Sequence, residues 1–229
     1  MPDFLSGSPS NCSVNIDKEL KKKMSPKKKS AWRENIEAIL IAVVIALFIR
    51  TFIVQAFKIP SGSMLETLQI GDQILVNKFI YGVKIPFTGG KTLIPGKDPE
   101  RDDIVVFKYP EDPSKDYIKR VVAVAGDTIE LIDKQLYVND KPAGNQPWAV
   151  YKDERIIPGK FTTRDNMKKI TVPENKLFVM GDNRDNSHDS RFWGFVDLSE
   201  VKGEAFMIYW SWNKQHFGVR WNRIGNLLF

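Results

Sequence analysis

Residues 103–125 read DIVVFKYPEDPSKDYIKRVVAVA. Asp103 to Tyr109 is a run of β-branched and aromatic side chains that predicts a strand, stopped by Pro110 and Pro113. Tyr117 to Ala125 predicts a second strand, ended by Gly126-Asp127. The pattern repeats outward in both directions. Gln73 to Val76, Leu177 to Met180 and Ala205 to Trp212 are further short apolar runs. Thr128 to Ile132 and Gln135 to Val138 flank Asp133-Lys134 as a hairpin does. Lys84 to Pro99 and residues 140–168 are rich in turn formers and predict loops. No internal repeat is evident, and many short strands between turns favour an all-β fold.

The second of these strands carries unusual charges. Its period of two puts Tyr117, Lys119 and Val121 on one face and Ile118, Arg120 and Val122 on the other. The two cations therefore point opposite ways among apolar neighbours. The expectation is one cation facing solvent or a carboxylate and the other buried. The commonplace alternative is a surface lysine whose stem covers apolar area. A buried lysine loses affinity for its proton, because a low dielectric disfavours the charge. To act as a base near neutrality it must fall roughly two to three units from about 10.4, a bias of about 3–4 kcal/mol.

A partner for such a base stands upstream, in AFKIPSGSMLETL, residues 56–68. Pro60 holds Ile59 extended, and Gly62 permits a sharp bend between the hydroxyls of Ser61 and Ser63. Taken alone, Ser63 with Glu66 three residues on is a capping box at the start of a helical turn. A third stretch changes the balance: GDNRDNSHDSRFWG, residues 181–194, is dense in turn formers and paired charges. Its acids can pair Arg120, Arg184 and Arg191, and Ser187 can orient a lysine amine. His188 and Asp189 are chain neighbours and so poorly placed to form a Ser-His-Asp relay.

Charge is concentrated at the N-terminus. Residues 1–33 hold eight Lys/Arg against three Asp/Glu, so they carry +5 of the net +6. The rest is near neutral, which argues against a nucleic-acid surface on the folded part. The lone Cys12 excludes an intramolecular disulfide, and two histidines with one cysteine argue against a conventional His/Cys zinc site. No metal or cofactor is expected. Ile36 to Val54, IEAILIAVVIALFIRTFIV, predicts a transmembrane helix over 34–56 whose flanking Glu37 and Arg50 reach the interface. No small-x-small site follows to mark a cleaved leader. The lysines precede this segment, so residues 1–33 form a basic cytoplasmic tail and 57–229 lie outside.

Three blocks in order carry a resemblance: FKIPSGSMLETLQIGDQILVNKF, RDDIVVFKYPEDPSKDYIKRVVAVAGD and GDNRDNSHDSRFWGFV. They resemble bacterial type I signal peptidases, membrane-bound serine–lysine proteases. The resemblance implies a mostly β extracytoplasmic catalytic domain, an antiparallel sheet or partly open barrel, behind one N-terminal transmembrane helix. A variable loop-rich insertion is expected near 128–172. It implies Ser63 as nucleophile, Lys119 as general base, and the Ser63 N–H with the Ser61 hydroxyl as oxyanion hole. Ser187 would bond the lysine amine, Arg120 would pair with Asp182, and Asp189 with Arg191. Phe57, Ile59, Pro60, Met64, Leu68, Ile74, Val106, Tyr117 and Ile118 would line shallow apolar pockets. The implied substrates are secreted preproteins with small residues at −1 and −3, bound as an added strand at the lipid bilayer of the cytoplasmic membrane. One departure is Glu66, where the family often has proline.

Other classes fit less well. A self-cleaving repressor needs a cleavage site in its own chain, and no Ala-Gly-type linker stands out. Ser25-Pro-Lys-Lys28 and Ser211-Trp-Asn-Lys214 fit S-x-x-K, but the companion S-D-N and K-T-G motifs are missing. A non-catalytic anchored β-domain that binds extended peptides is the alternative from outside enzymology. The C-terminal aromatics, Trp210, Trp212, Phe217 and Trp221, are expected either in the β-core or docked on the bilayer face.

Overall fold

In the computed structural model, which describes residues 31–48, 54–84, 92–144 and 146–228, one long helix precedes a succession of antiparallel strands. Helix α1 spans Ala31–Phe48. Its apolar residues, among them Ile36, Ile39, Leu40, Val43, Val44 and Leu47, are exposed on every side of the helix. Among the described residues no helix is long and apolar enough to cross a membrane. The helix expected over 34–56 is corrected at both ends. It starts at Ala31, inside what was expected to be tail, and Val54–Lys58 is strand β1 instead. There Val54, Gln55 and Ala56 pair with Asn77, Val76 and Leu75, so the backbone groups are satisfied by a neighbour rather than by a helix. Residues 1–30 and 49–53 lie outside the described residues.

The main sheet contains β2 (Asp72–Asn77), β5 (Ile104–Tyr109), β6 (Asp112–Val124), β11 (Lys176–Met180), β12 (Val196–Asp197) and β13 (Val201–Asn213). Its order is β1-β2-β13-β5-β6-β11-β12, with β14 (Gly218–Val219) on β13. The C-terminal strand β13 therefore lies between β2 and β5. It pairs with β2 over Glu204–Ser211 and with β5 over Val201–Glu204, with register shifts that bend it. Gly203 is required at this junction, because a Cβ there would stand 2.4 Å from the Asn77 carbonyl oxygen. Among the described residues β1 and β12 do not pair with each other, so the sheet is open. It nevertheless curls round one apolar cluster. Ile59, Ile74, Val76, Ile104, Val106, Ala205 and Ile208 pack together with Met64, Leu68 and Leu228.

Three expectations about strand ends and loops change. Pro113 does not precede the second strand but lies within β6. The register passes from Lys108↔Asp116 to Tyr109↔Asp112, so Pro113 sits in a bulge that needs no donor. The 128–172 region is more than loop. β7 (Thr128–Ile132), β8 (Gln135–Val138), β9 (Lys141–Pro142) and β10 (Met167–Thr171) form a second sheet in the order β10-β7-β8-β9. Asp133 and Lys134 both have positive φ, the condition for the tight β7–β8 hairpin. The stretch expected as the 84–99 loop also contributes β4 (Thr92–Ile94), which pairs with β3 (Val83–Lys84).

Candidate active site

Lys119 sits on β6, a strand flanked by β5 and β11, where its backbone pairs with Val105. The side chain is only 4% exposed. Its Nζ donates to Ser63 Oγ at 2.6 Å and to the Ile118 carbonyl at 3.1 Å, and lies 5.5 Å from the centre of the Tyr117 ring. Burial pushes the amine down to about 8, against the opposing pull of Asp189 and Asp182 and with some help from Arg191. Of the two neighbouring cations Lys119 is the buried one and Arg120 faces a carboxylate rather than solvent, although it too is buried. Arg120, 2% exposed on the opposite face, donates through Nε and Nη2 to the two oxygens of Asp182 at 2.9 and 2.8 Å. Its Nη1 donates to the Asp102 carbonyl, and the Trp148 ring covers the guanidinium at 4.5 Å.

Ser63 lies in a run of turns after β1, not at the start of a helix. Leu65 N donates to the Gly62 carbonyl and Leu68 N to the Met64 carbonyl. The Leu65–Glu66 peptide is cis. Met64 and Leu68 are fully buried and hold this run in the core cluster, while Ser61 is exposed beside it. Thr67 Oγ1 donates to Asp182 Oδ2 at 2.6 Å, and Arg223 Nη2 donates to the Thr67 carbonyl and to Asp72. The 181–194 stretch forms the floor. A Cβ on Gly181 would stand 2.4 Å from the Ser63 carbonyl oxygen, so the two chains touch there without room for a side chain.

Asp189 pairs with Arg191 through two bonds of 2.8 Å, both side chains being buried, and accepts from Gly181 N. Burial works against its charge, yet the Arg191 guanidinium beside it holds the carboxyl below its ordinary value. Ser187 differs from expectation. It is buried, but its hydroxyl lies against Gly181 rather than on the lysine amine, whose partners are Ser63 and the Ile118 carbonyl. His188 is exposed and stacks on Phe192, so no histidine relay forms.

The nine residues expected to line pockets separate into groups. Ile59, Met64, Leu68, Ile74 and Val106 belong to the cluster beneath Ser63, and Phe57 and Ile118 pack on it. Pro60 is exposed. Tyr117 packs with a different cluster, stacked on Tyr109 with centroids 4.3 Å apart. The C-terminal aromatics are not core: Phe217 and Trp221 are 85% and 73% exposed. Among the described residues no His/Cys/Asp/Glu group is arranged to hold a metal. Thr67, Trp148 and Asn183 were not singled out from sequence. Only the turn-former density around Asn183 hinted at any of them.

A buried amine on a serine hydroxyl, in a curled antiparallel sheet, defines a serine–lysine arrangement suited to acyl transfer. Residues 32–210 match the family described as "Signal peptidase, peptidase S26", and the chain belongs to that family. It is 40% identical to signal peptidase I of Pseudomonas aeruginosa over 196 residues, 73% of this chain and 69% of that one. Signal peptidase I of Aquifex aeolicus is 34% identical, over 78% of this chain and 84% of its own length. A crystal structure of signal peptidase I from Enterococcus faecalis, 34% identical, superposes over 47% of this chain and 97% of its own with a TM-score of 0.38. The chain is therefore a peptidase of the signal peptidase family.

Proposed function

We propose that this chain removes signal peptides from secreted preproteins by a Ser63–Lys119 mechanism. The single observation that carries this is the 2.6 Å contact between Lys119 Nζ and Ser63 Oγ, with the amine buried and brought down to about 8. Neutral Lys119 takes the Ser63 proton as Oγ bonds to the scissile carbonyl carbon. The oxygen of the tetrahedral adduct is met by the Ser63 N–H and the Ser61 hydroxyl, donors that contribute around 3 kcal/mol each in such sites. Lys119 then gives its proton to the leaving amine as the C–N bond breaks. The same amine takes a proton from the water that hydrolyses the acyl-enzyme, and Ser63 is restored.

The Arg120–Asp182 and Asp189–Arg191 pairs stiffen the wall behind the base. Substrate lies as an extra strand over the Phe57, Ile59 and Ile118 surface, and shallow pockets there admit small side chains at −1 and −3. The apolar stretch that begins at Ile36 and includes most of α1 serves as anchor. The exposure of its side chains all round α1 supports this, since such a helix needs an apolar surrounding. The basic residues before it favour a cytoplasmic N-terminus. The exposed Phe217 and Trp221 suit contact with the outer membrane surface.

The test is cleavage of a preprotein with an Ala-x-Ala site by Ser63→Ala and Lys119→Ala variants in membranes. Both are expected to be inactive. Cleavage by either removes the mechanism and returns the choice to a peptide-binding domain.

A further inference from the structure

Asn183 touches the backbone on both sides of the Ser63 Cα. Its N–H donates to the Ser63 carbonyl at 3.1 Å, and its Nδ2 donates to the Gly62 carbonyl at 3.0 Å. Leu65 N fills the second lone pair of the same Gly62 oxygen at 3.2 Å. The Gly62 carbonyl and the Ser63 N–H belong to one planar trans peptide, so they point in opposite directions. Whatever holds the carbonyl inward aims the N–H outward, toward the side where Ser63 Oγ meets its substrate. We infer that Asn183 is a positioning residue that sets the plane of the Gly62–Ser63 peptide and thereby aims the oxyanion donor.

The cost of Asn183 to the fold supports a role for its donor. The residue is buried, and its Oδ1 has no hydrogen-bond partner. An orphaned buried acceptor is unfavourable, and a leucine of similar volume would avoid it. The amide cannot be turned over to relieve this, because Oδ1 would then face the Gly62 carbonyl oxygen. What the residue retains is the bond to Gly62.

Asn183 is itself clamped from the second-sheet region. Val150 N donates to the Asp182 carbonyl at 2.7 Å, and Arg184 N donates to the Val150 carbonyl at 2.9 Å, a parallel bridge that brackets Asn183. Arg184 Nη2 donates to Gln146 Oε1, which ties the same strap a second time. The segment 146–150 thus holds Asn183, Asn183 holds the Gly62–Ser63 peptide, and the lysine amine takes no part in the chain of contacts.

The inference rests on Ser63 as nucleophile with its own N–H as oxyanion donor. The experiment uses the full chain in detergent, with Asn183→Leu, Asn183→Ser, Ser63→Ala and Lys119→Ala measured side by side. Preprotein cleavage gives kcat and KM, and a peptide boronate that forms a tetrahedral adduct reports the oxyanion site. Loss of aim is expected to lower kcat by about 10²-fold with KM within about twofold, as when an oxyanion donor is removed. Boronate affinity is expected to fall in parallel, with the acid limb of the pH profile unmoved. Asn183→Ser, too short to reach the carbonyl, decides the matter if the leucine variant does not fold. A folded variant with kcat within about threefold of the parent, or one whose boronate affinity is unchanged, overturns the inference. Cleavage by Ser63→Ala or Lys119→Ala strikes at the dyad instead, and so is told apart.

Discussion

Thr67 Oγ1 and both Nε and Nη2 of Arg120 converge on the carboxylate of Asp182. One buried anion therefore joins the turn that carries Ser63 to the strand that carries Lys119. Thr67→Val, which keeps shape and loses the hydroxyl, is expected to destabilise the fold by about 1–2 kcal/mol. Cleavage should fall by about tenfold or more as the turn loosens. Thr67→Ser should retain both. Urea unfolding and preprotein cleavage compare the pair, and equal behaviour of the two variants would show that the hydroxyl is not the joint.

The Lys119 amine, brought down to about 8 by burial, must be neutral to accept a proton. The rate kcat/KM should therefore decline below about pH 8 along a limb of unit slope, since that quantity reports the free enzyme. Lys119→Arg should be inactive at every pH, because a guanidinium does not deprotonate in the working range. A flat profile between about pH 6 and 9 would contradict the assignment of the base.

The same depressed value has a sign in stability. The folded state holds this proton less tightly than an unfolded lysine, whose ordinary value is 10.5. The cost of burying the charge is present in full below about pH 8 and disappears as the pH rises through 10.5. Lys119→Met should therefore stabilise the chain by up to ~3 kcal/mol near pH 7, and by much less near pH 10.5. Unfolding in urea at the two pH values measures the difference. An equal gain at both would mean that the amine is not paying for its burial.

Breaking the Arg120–Asp182 pair should be more damaging than losing it whole. Arg120→Met leaves a buried carboxylate with Thr67 as its one side-chain donor among the described residues, and a cost of about 3–5 kcal/mol is expected. Arg120→Met combined with Asp182→Leu should recover much of that loss. A double-mutant cycle by thermal or urea unfolding reads the coupling, and strictly additive effects would argue that the two charges do not depend on each other.

Local pattern made the strands legible. Runs of β-branched and aromatic residues mark β5 and most of β6, and the Asp133-Lys134 spacing marks the hairpin, because strand propensity and turn chemistry act over a few residues. Pro113 misled because a proline forbids a ladder bond but not a bulge within a strand. The end of the α1 helix was not legible for a related reason. Val54 to Ala56 suit a helix or a strand equally, and only pairing with β2 settles the matter.

The sequence by itself determined the residue types and their order: a serine in a Pro-Ser-Gly turn, a lysine between apolar neighbours on a strand, and a charged loop able to brace them. Tertiary structure alone decided that they meet. In the pairing order, four strand steps separate β1 from β6, a distance of roughly 19 Å in a flat sheet. Ser63 Oγ and Lys119 Nζ are 2.6 Å apart because β1, β2, β13, β5 and β6 all turn side chains into one apolar cluster, and Met64 and Leu68 fold the Ser63 turn onto it. Whether a lysine is dry, whether an arginine on its other face is paired, and which amide holds a carbonyl all depend on groups remote in the chain. No period or spacing near Lys119, Arg120 or Asn183 contains that information.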